Sequence, residues 1–229
     1  MYPLTKMNEQ MLAGHHSLSP DDDCYYMLEY TTEDSFPYTL GNTLITNLKK
    51  KPDRKQTLEW SYKEWTIRQL ATELTAALST LIDFATTTII PIPPSKTRSN
   101  PQYDDRVLQV IRSACPAVAD IRESIACRED HAPAHESDER DRPGVDQLMT
   151  NYIWVDRVQP TDPAAPPDAA AHPHTPHRPN IVLFDDVIAS GNHFTACKRF
   201  LLRYHPATHI TGIFIARVIK KNETAQRLS

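Results

Sequence analysis

The residues best suited to chemistry lie between Asn180 and Thr195, in NIVLFDDVIASGNHFT. Two adjacent carboxylates, Asp185 and Asp186, precede a short loop of Val187, Ile188, Ala189, Ser190 and Gly191. A loop that enters a helix aims several backbone N–H groups at one point, and the helix dipole adds partial positive charge there. That arrangement suits a phosphate. Gly191 lets an anion approach the backbone closely, and Ser190 adds a hydroxyl donor. The two carboxylates would repel a phosphate. They suit sugar hydroxyls, or a Mg²⁺ that travels with the phosphate. A ligand carrying ribose, phosphate and Mg²⁺ satisfies every part. The competing reading is a plain strand–turn–helix whose carboxylates only cap the helix. No Gly-Lys-Ser/Thr follows, which argues against a nucleoside-triphosphate P-loop.

The elements that must hold these residues are legible around them. Ile181 to Phe184 is a short run of apolar, largely β-branched and aromatic residues, and predicts a buried strand of a parallel sheet. Asn192 is a good N-cap. Phe194, Cys197, Phe200, Leu201 and Tyr204 then recur at helical spacing. Thr86 to Ile92 predicts a second buried strand, and His209 to Val218 a third. After Ile92 the chain runs through Ser95, Lys96 and Arg98, a basic loop at a strand end. Ligands of open α/β sheets bind at the carboxyl ends of strands, which makes this loop a candidate second anion site. Asp104 and Asp105 open a helix carrying Val107, Leu108 and Ile111. Upstream, Ser61 to Ala85 predicts the longest helix, with Ser61 and Glu64 at capping-box spacing. Asn42 to Lys50 predicts a short helix capped by Asn42. Cys24 to Tyr30 is read as an edge strand or a partner-facing segment, and Asp21 to Asp23 before it as a solvated turn. Trp60 and Trp65 are read as core or interdomain anchors.

VLFDDVIASG, with Ile181 before it, resembles the ribose-phosphate signature of the type I phosphoribosyltransferases: four apolar residues, two acidic ones, then a Thr-Thr-Gly loop. Pro91-Ile92-Pro93, followed by a basic loop, resembles the ComF-like branch of that family. The resemblance implies an α/β fold, a mostly parallel sheet with helices on both faces. It also implies binding of phosphoribosyl pyrophosphate (PRPP) with Mg²⁺. Asp185 and Asp186 would hold the ribose and, indirectly, the metal. The segment from Val187 through Gly191, with Asn192 and His193, would wrap the 5′-phosphate. Ser95, Lys96 and Arg98 would face the pyrophosphate. The implied activity is transfer of ribosyl phosphate to an acceptor, with release of pyrophosphate. Two departures stand out: Ala189 replaces the first loop threonine, and His193 stands where a second phosphate-binding threonine is usual. They keep open two further readings. One is a nucleotide-sensing regulator or interaction module, as in bacterial competence or defence proteins of this branch; the other is a nucleotide or nucleoside hydrolase using the same site. The resemblance also implies a loop closing over PRPP, and Ile121 to Arg142 is its counterpart in chain order.

At 229 residues and a net charge of −4, the chain predicts one α/β domain and carries no global basic signature for nucleic acid. Residues 1–56 are read as an N-terminal embellishment, a hood or partner-binding segment. The domain proper is 57–229, and a Pro-, Ala- and His-rich stretch at 159–179 is read as a disordered insertion. Cys24, Cys115, Cys127 and Cys197 have neither zinc spacing nor close pairs. Free thiols and a cytoplasmic location are the expectation. No apolar run is long enough to cross a membrane.

Overall fold

The computed structural model describes residues 2–31, 39–131, 143–155 and 178–219. In chain order the elements are β1 (Thr5–Lys6), α1 (Glu9–Ala13), β2 (Asp23–Tyr30), α2 (Leu40–Leu48), α3 (Leu58–Leu81), β3 (Thr87–Pro91) and α4 (Arg106–Ala114). Then follow β4 (Asp120–Ile121), β5 (Ile125–Cys127), α5 (Val145–Asn151), β6 (Tyr152–Trp154), β7 (Asn180–Ile188), α6 (Asn192–Tyr204) and β8 (His209–Val218).

Six strands form one sheet in the order β1-β2-β8-β7-β3-β4. Every neighbouring pair is parallel except β1 with β2. The parallel strands are apolar because both faces are covered. Ile181 to Phe184 of β7 are all buried, at 2% exposure or less. On one face, Leu44, Ile45 and Leu48 of α2, Leu70 and Leu74 of α3, and Leu108 and Ile111 of α4 pack on Val182, Phe184, Ile213 and Ile215. On the other, Leu12 of α1, Leu148 of α5 and Phe194, Cys197 and Phe200 of α6 pack on Ile181, Leu183, Ile210 and Phe214, together with the antiparallel β5–β6 pair. The α/β class with helices on both faces of a mostly parallel sheet is therefore present.

Several local expectations change. β2 is no edge: it lies second in the sheet, parallel to β8 from Asp23↔Thr211 to Tyr30↔Val218. The short β1 covers its outer side only at Tyr25 and Tyr26. Segment 1–56 thus contributes β1, α1, β2 and α2 around the same sheet. Asp22 is no solvated turn residue; it is buried, pairs with Lys198 at 2.6 Å and accepts from the Ser19 N–H. α2 begins two residues earlier than the Asn42 expectation. Thr39 is its N-cap, and Asn42 completes the capping box from the third position. α3 begins at Leu58, so the Ser61 hydroxyl lies inside the first turn and donates to the Leu58 carbonyl. Trp65 is half exposed, not a core anchor.

The start of the expected closing loop is also structured. Ile121 belongs to β4, and Arg122, Glu123, Ser124, Ile125 and Cys127 are buried. This part of the segment turns inward, where Arg122 pairs with Asp120 at 2.8 Å and β5 pairs with β6. Residues 132–142 of that loop, and 159–177 of the insertion, lie outside the described residues. β6 covers Tyr152–Trp154, and residues 156–158 lie outside the described residues. Among the described residues no helix is long and apolar enough to cross a membrane.

Candidate functional site

β7 is longer than its apolar run suggests. It stays paired to β8 through Asp185↔Phe214, Val187↔Ala216 and Ile188↔Arg217. Asp185, Asp186, Val187 and Ile188 are therefore strand residues, and the loop shrinks to Ala189, Ser190 and Gly191. Asn192 is the first helical residue rather than the cap; Gly191 caps α6 with φ 85°. That left-handed backbone favours glycine.

Consecutive strand residues point to opposite faces, and this splits the acidic pair. Asp186 turns towards α2 and α4. Nε and Nη2 of Arg106, the first residue of α4, both lie 2.7 Å from its Oδ2, and Lys49 Nζ is 3.8 Å from its Oδ1. Burial alone would raise its pKa; the Lys49 and Arg106 charges outweigh that and hold it below the ordinary carboxylate range. Arg106 also donates to Asp104 at 2.9 Å, and Asp104 takes a 2.6 Å contact from the buried Lys63. The result is a continuous chain of charges: Lys49, Asp186, Arg106, Asp104, Lys63. Asp104 is thus a member of an ion-pair network and not only a helix-end charge.

Asp185 has a different environment. Its Oδ1 accepts the Asp186 N–H at 2.8 Å. Burial, and then the Asp186 charge, push its pKa up to about 8. Two adjacent carboxylates do not both ionise easily, and the charge held on Asp186 disfavours a second one on Asp185. Asp185 lines a pocket at the carboxyl end of β3. Lys96, Arg98, Tyr103, Arg106 and Glu123 line the same pocket, with Pro91 to Pro94, Ile125 and Cys127. The structure thus brings Asp185, Lys96 and Arg98 to one cavity.

The basic loop is tethered. Lys96 Nζ donates to the His131 carbonyl at 3.4 Å, and the Ser95 carbonyl accepts the His131 N–H at 2.9 Å. Arg98 pairs with Glu123 and lies over the Tyr103 ring. These two cations already have protein partners, so a polyanion would have to compete for them.

The loop after β7 is supported from one side by the N-terminal segment. His15 Nδ1 donates to the Ala189 carbonyl, and the Ser17 N–H to the Ser190 carbonyl at 3.1 Å. Ser17 Oγ donates to Asn192 Oδ1 at 2.5 Å, Thr195 Oγ1 donates to the Ser17 carbonyl at 2.6 Å, and Leu18 packs over Gly191. The peptides are trans. In a planar trans peptide the C=O and the following N–H point in opposite directions. The Ser190 and Gly191 N–H groups therefore face away from His15 and Ser17. Among the described residues these two N–H groups, and those of His193 and Phe194, have no acceptor. The Asn192 N–H goes to Ser190 Oγ at 3.3 Å. Val187 packs partly buried against the α2–α4 core, and Ile188 is buried on the α6 side.

His193 does not stand free at the loop. Its ring stacks on His131 with centroids 5.5 Å apart, and its Nδ1 is 3.4 Å from the Tyr152 hydroxyl. Burial, with His131 beside it, lowers its pKa to about 4. Both ring nitrogens of His131 are buried, with no hydrogen-bond partner among the described residues.

Among the described residues the acidic pair offers Mg²⁺ no ready ligand set. Both Asp186 oxygens are engaged by cations, and among the described residues no group of three or more His, Cys, Asp or Glu could hold a metal. Arg106, Tyr103 and Glu123 carry no site role in the sequence reading; there Lys49 is only a charge at a helix C-terminus and His131 one residue of the Ile121 to Arg142 loop. Only Arg106 had a signal there, a cation directly after Asp104 and Asp105 at a helix start. A comparison with known proteins finds no family model that matches the chain and no curated relative.

Proposed function

We propose that the carboxyl ends of β3 and β7 form a PRPP site of the type I phosphoribosyltransferase kind, ComF-like branch. The observation that carries this reading is the parallel pairing of β3 with β7, from Thr87↔Asn180 to Pro91↔Phe184. It puts the chain after β3 and the end of β7 on the same, carboxyl, edge of the sheet. The unpartnered N–H groups of Ser190, Gly191, His193 and Phe194 would take the 5′-phosphate. Asp185 would take a ribose hydroxyl. Lys96 and Arg98 would exchange their partners for the pyrophosphate and neutralise it as it leaves, where electrostatic stabilisation counts most. Mg²⁺ carried by the pyrophosphate would supply further charge neutralisation beside Asp185. Asp186 acts one step back: it fixes Arg106 and raises the Asp185 pKa. The apolar share of the pocket, Ile125, Cys127 and the prolines, would exclude water from the ribosyl centre.

A second reading, a PRPP or nucleotide sensor without turnover, is favoured by one observation. Lys96, Arg98 and Asp186 are all engaged within the protein, which suits a site that reports occupancy by changing partners. Titration calorimetry with PRPP, with and without Mg²⁺, tests binding; pyrophosphate release on mixing with candidate acceptors tests turnover. Binding with no release with any acceptor or water supports the sensor. No heat with PRPP or ribose 5-phosphate overturns both readings.

A further inference from the structure

Most apolar residues of α3 face the core, as Ile67, Leu70, Leu74 and Leu78 do. Three do not. Leu58 is 79% exposed, Tyr62 52% and Trp65 51%. They are spaced four and three residues apart, which places them on one stripe of the helix.

Cations gather around the same stripe. Lys51, Arg54 and Lys55 are exposed just before α3, and Arg68 is exposed one turn beyond Trp65. Lys50 Nζ lies 5.6 Å from the Tyr62 ring centroid, and Lys55 Nζ 5.7 Å from that of Trp60. The exposed carboxylates nearby are Asp53, 3.8 Å from Arg54, with Glu59 and Glu64. Among the described residues five cations (Lys50, Lys51, Arg54, Lys55, Arg68) thus lie near three exposed carboxylates, in a chain of net charge −4. The positive end of the helix dipole adds to this at the N-terminus of α3. The loop before α3 is held in place: the buried Lys63 ammonium donates to the Lys50 carbonyl at 2.8 Å and to Asp104.

We propose that this face of α3 binds single-stranded nucleic acid. Tyr62 and Trp65 stand about 4.5 Å apart along the helix axis, within reach of successive unpaired bases. Stacking on aromatic rings with phosphates led along flanking cations is the recognition mode of single strands. A duplex hides its base faces and offers the rings nothing. A lipid surface needs an apolar face along the helix. Here the exposed positions beyond Trp65 are polar, Arg68 and Thr72, and Leu58 is the one aliphatic side chain of the stripe.

The test is fluorescence anisotropy with labelled single-stranded oligothymidylate of about 20 nucleotides, a duplex of equal length, and sedimentation with anionic vesicles. The full chain is used at low and moderate salt. The expected result is binding of the single strand in preference to the duplex and the vesicles. Tyr62→Ala with Trp65→Ala should weaken it at least about tenfold, the loss of base stacking, with an unchanged melting temperature. Lys51→Ala with Lys55→Ala should reduce the logarithmic salt slope by about 1.4, at about 0.7 per phosphate. No anisotropy change, equal duplex affinity, full affinity in the aromatic variant, or binding to vesicles alone would each overturn the proposal. None of these readouts depends on PRPP.

Discussion

Arg106 and Asp186, eighty residues apart in the chain, are joined by two contacts of 2.7 Å to a single carboxylate oxygen. This pair ties the start of α4 to the carboxyl end of β7. The Asp186 side chain is 7% exposed and that of Arg106 19%. Breaking a buried pair by removing one partner is costly, because the other charge stays buried. Arg106→Ala should destabilise the protein by about 3 kcal/mol. Asp186→Asn should cost less, since Arg106 keeps Asp104 at 2.9 Å. Urea titrations of both variants measure this, and equal small losses would show that the pair contributes little.

Asp185 should give the protein an unusual alkaline sensitivity. Its folded pKa of about 8 lies above the ordinary value of about 3.9. Between these values the unfolded chain has lost the proton and the folded chain has kept it. This group's contribution therefore falls as pH rises from about 4 to about 8, and then levels off. Asp185→Asn imitates the protonated carboxyl and still accepts the Asp186 N–H. It should raise the melting temperature more at pH 8 than at pH 5. A shift that does not change with pH would mean that Asp185 is ionised throughout.

His193 gives a slope of the opposite sign. Its folded pKa, lowered to about 4, lies below the ordinary value of about 6.5. The unfolded chain takes up the proton first, so stability is lost as pH falls through this window. His193→Phe keeps a ring against His131 and removes the titration. Melting curves between pH 7 and pH 4 should be flatter for this variant. His131, with its pKa also lowered by burial and by Lys96, contributes in the same direction and remains in it.

Gly191 is needed by the fold whether or not an anion binds. Its φ of 85° is strained for any other residue, by roughly 1–2 kcal/mol, and a Cβ there would lie 2.8 Å from Leu18 Cδ2. Gly191→Ala should destabilise the protein, and Leu18→Ala in the same chain should recover the contact part and not the backbone part. A double-mutant cycle separates the two. Full recovery would mean that the loop can relax to an ordinary φ. PRPP affinity must therefore be compared on variants shown to be folded, for which Ser190→Ala is the gentler probe of the loop.

The sequence by itself determined the α/β class and the strands at its centre. β3, β7 and β8 are buried on both faces, so each appears as a continuous apolar run that needs no partner to be recognised. The helical spacing of α6 was equally local, with Phe194, Cys197, Phe200 and Leu201 facing the sheet. The end of β7 was not legible, because Asp185 and Asp186 look like the close of an apolar strand. Pairing with β8 carries the strand to Ile188. The fate of the acidic pair was decided in three dimensions. Strand geometry sends the two side chains to opposite faces, and only the packing of α2 and α4 on one of them gives Asp186 its cations and sets the charge it keeps beside Asp185. The support of Ala189 and Ser190 by His15 and Ser17 spans more than 170 residues of chain. Contacts at that separation leave no period or spacing in the sequence, because they arise only when the sheet brings β2 and β7 to either side of β8.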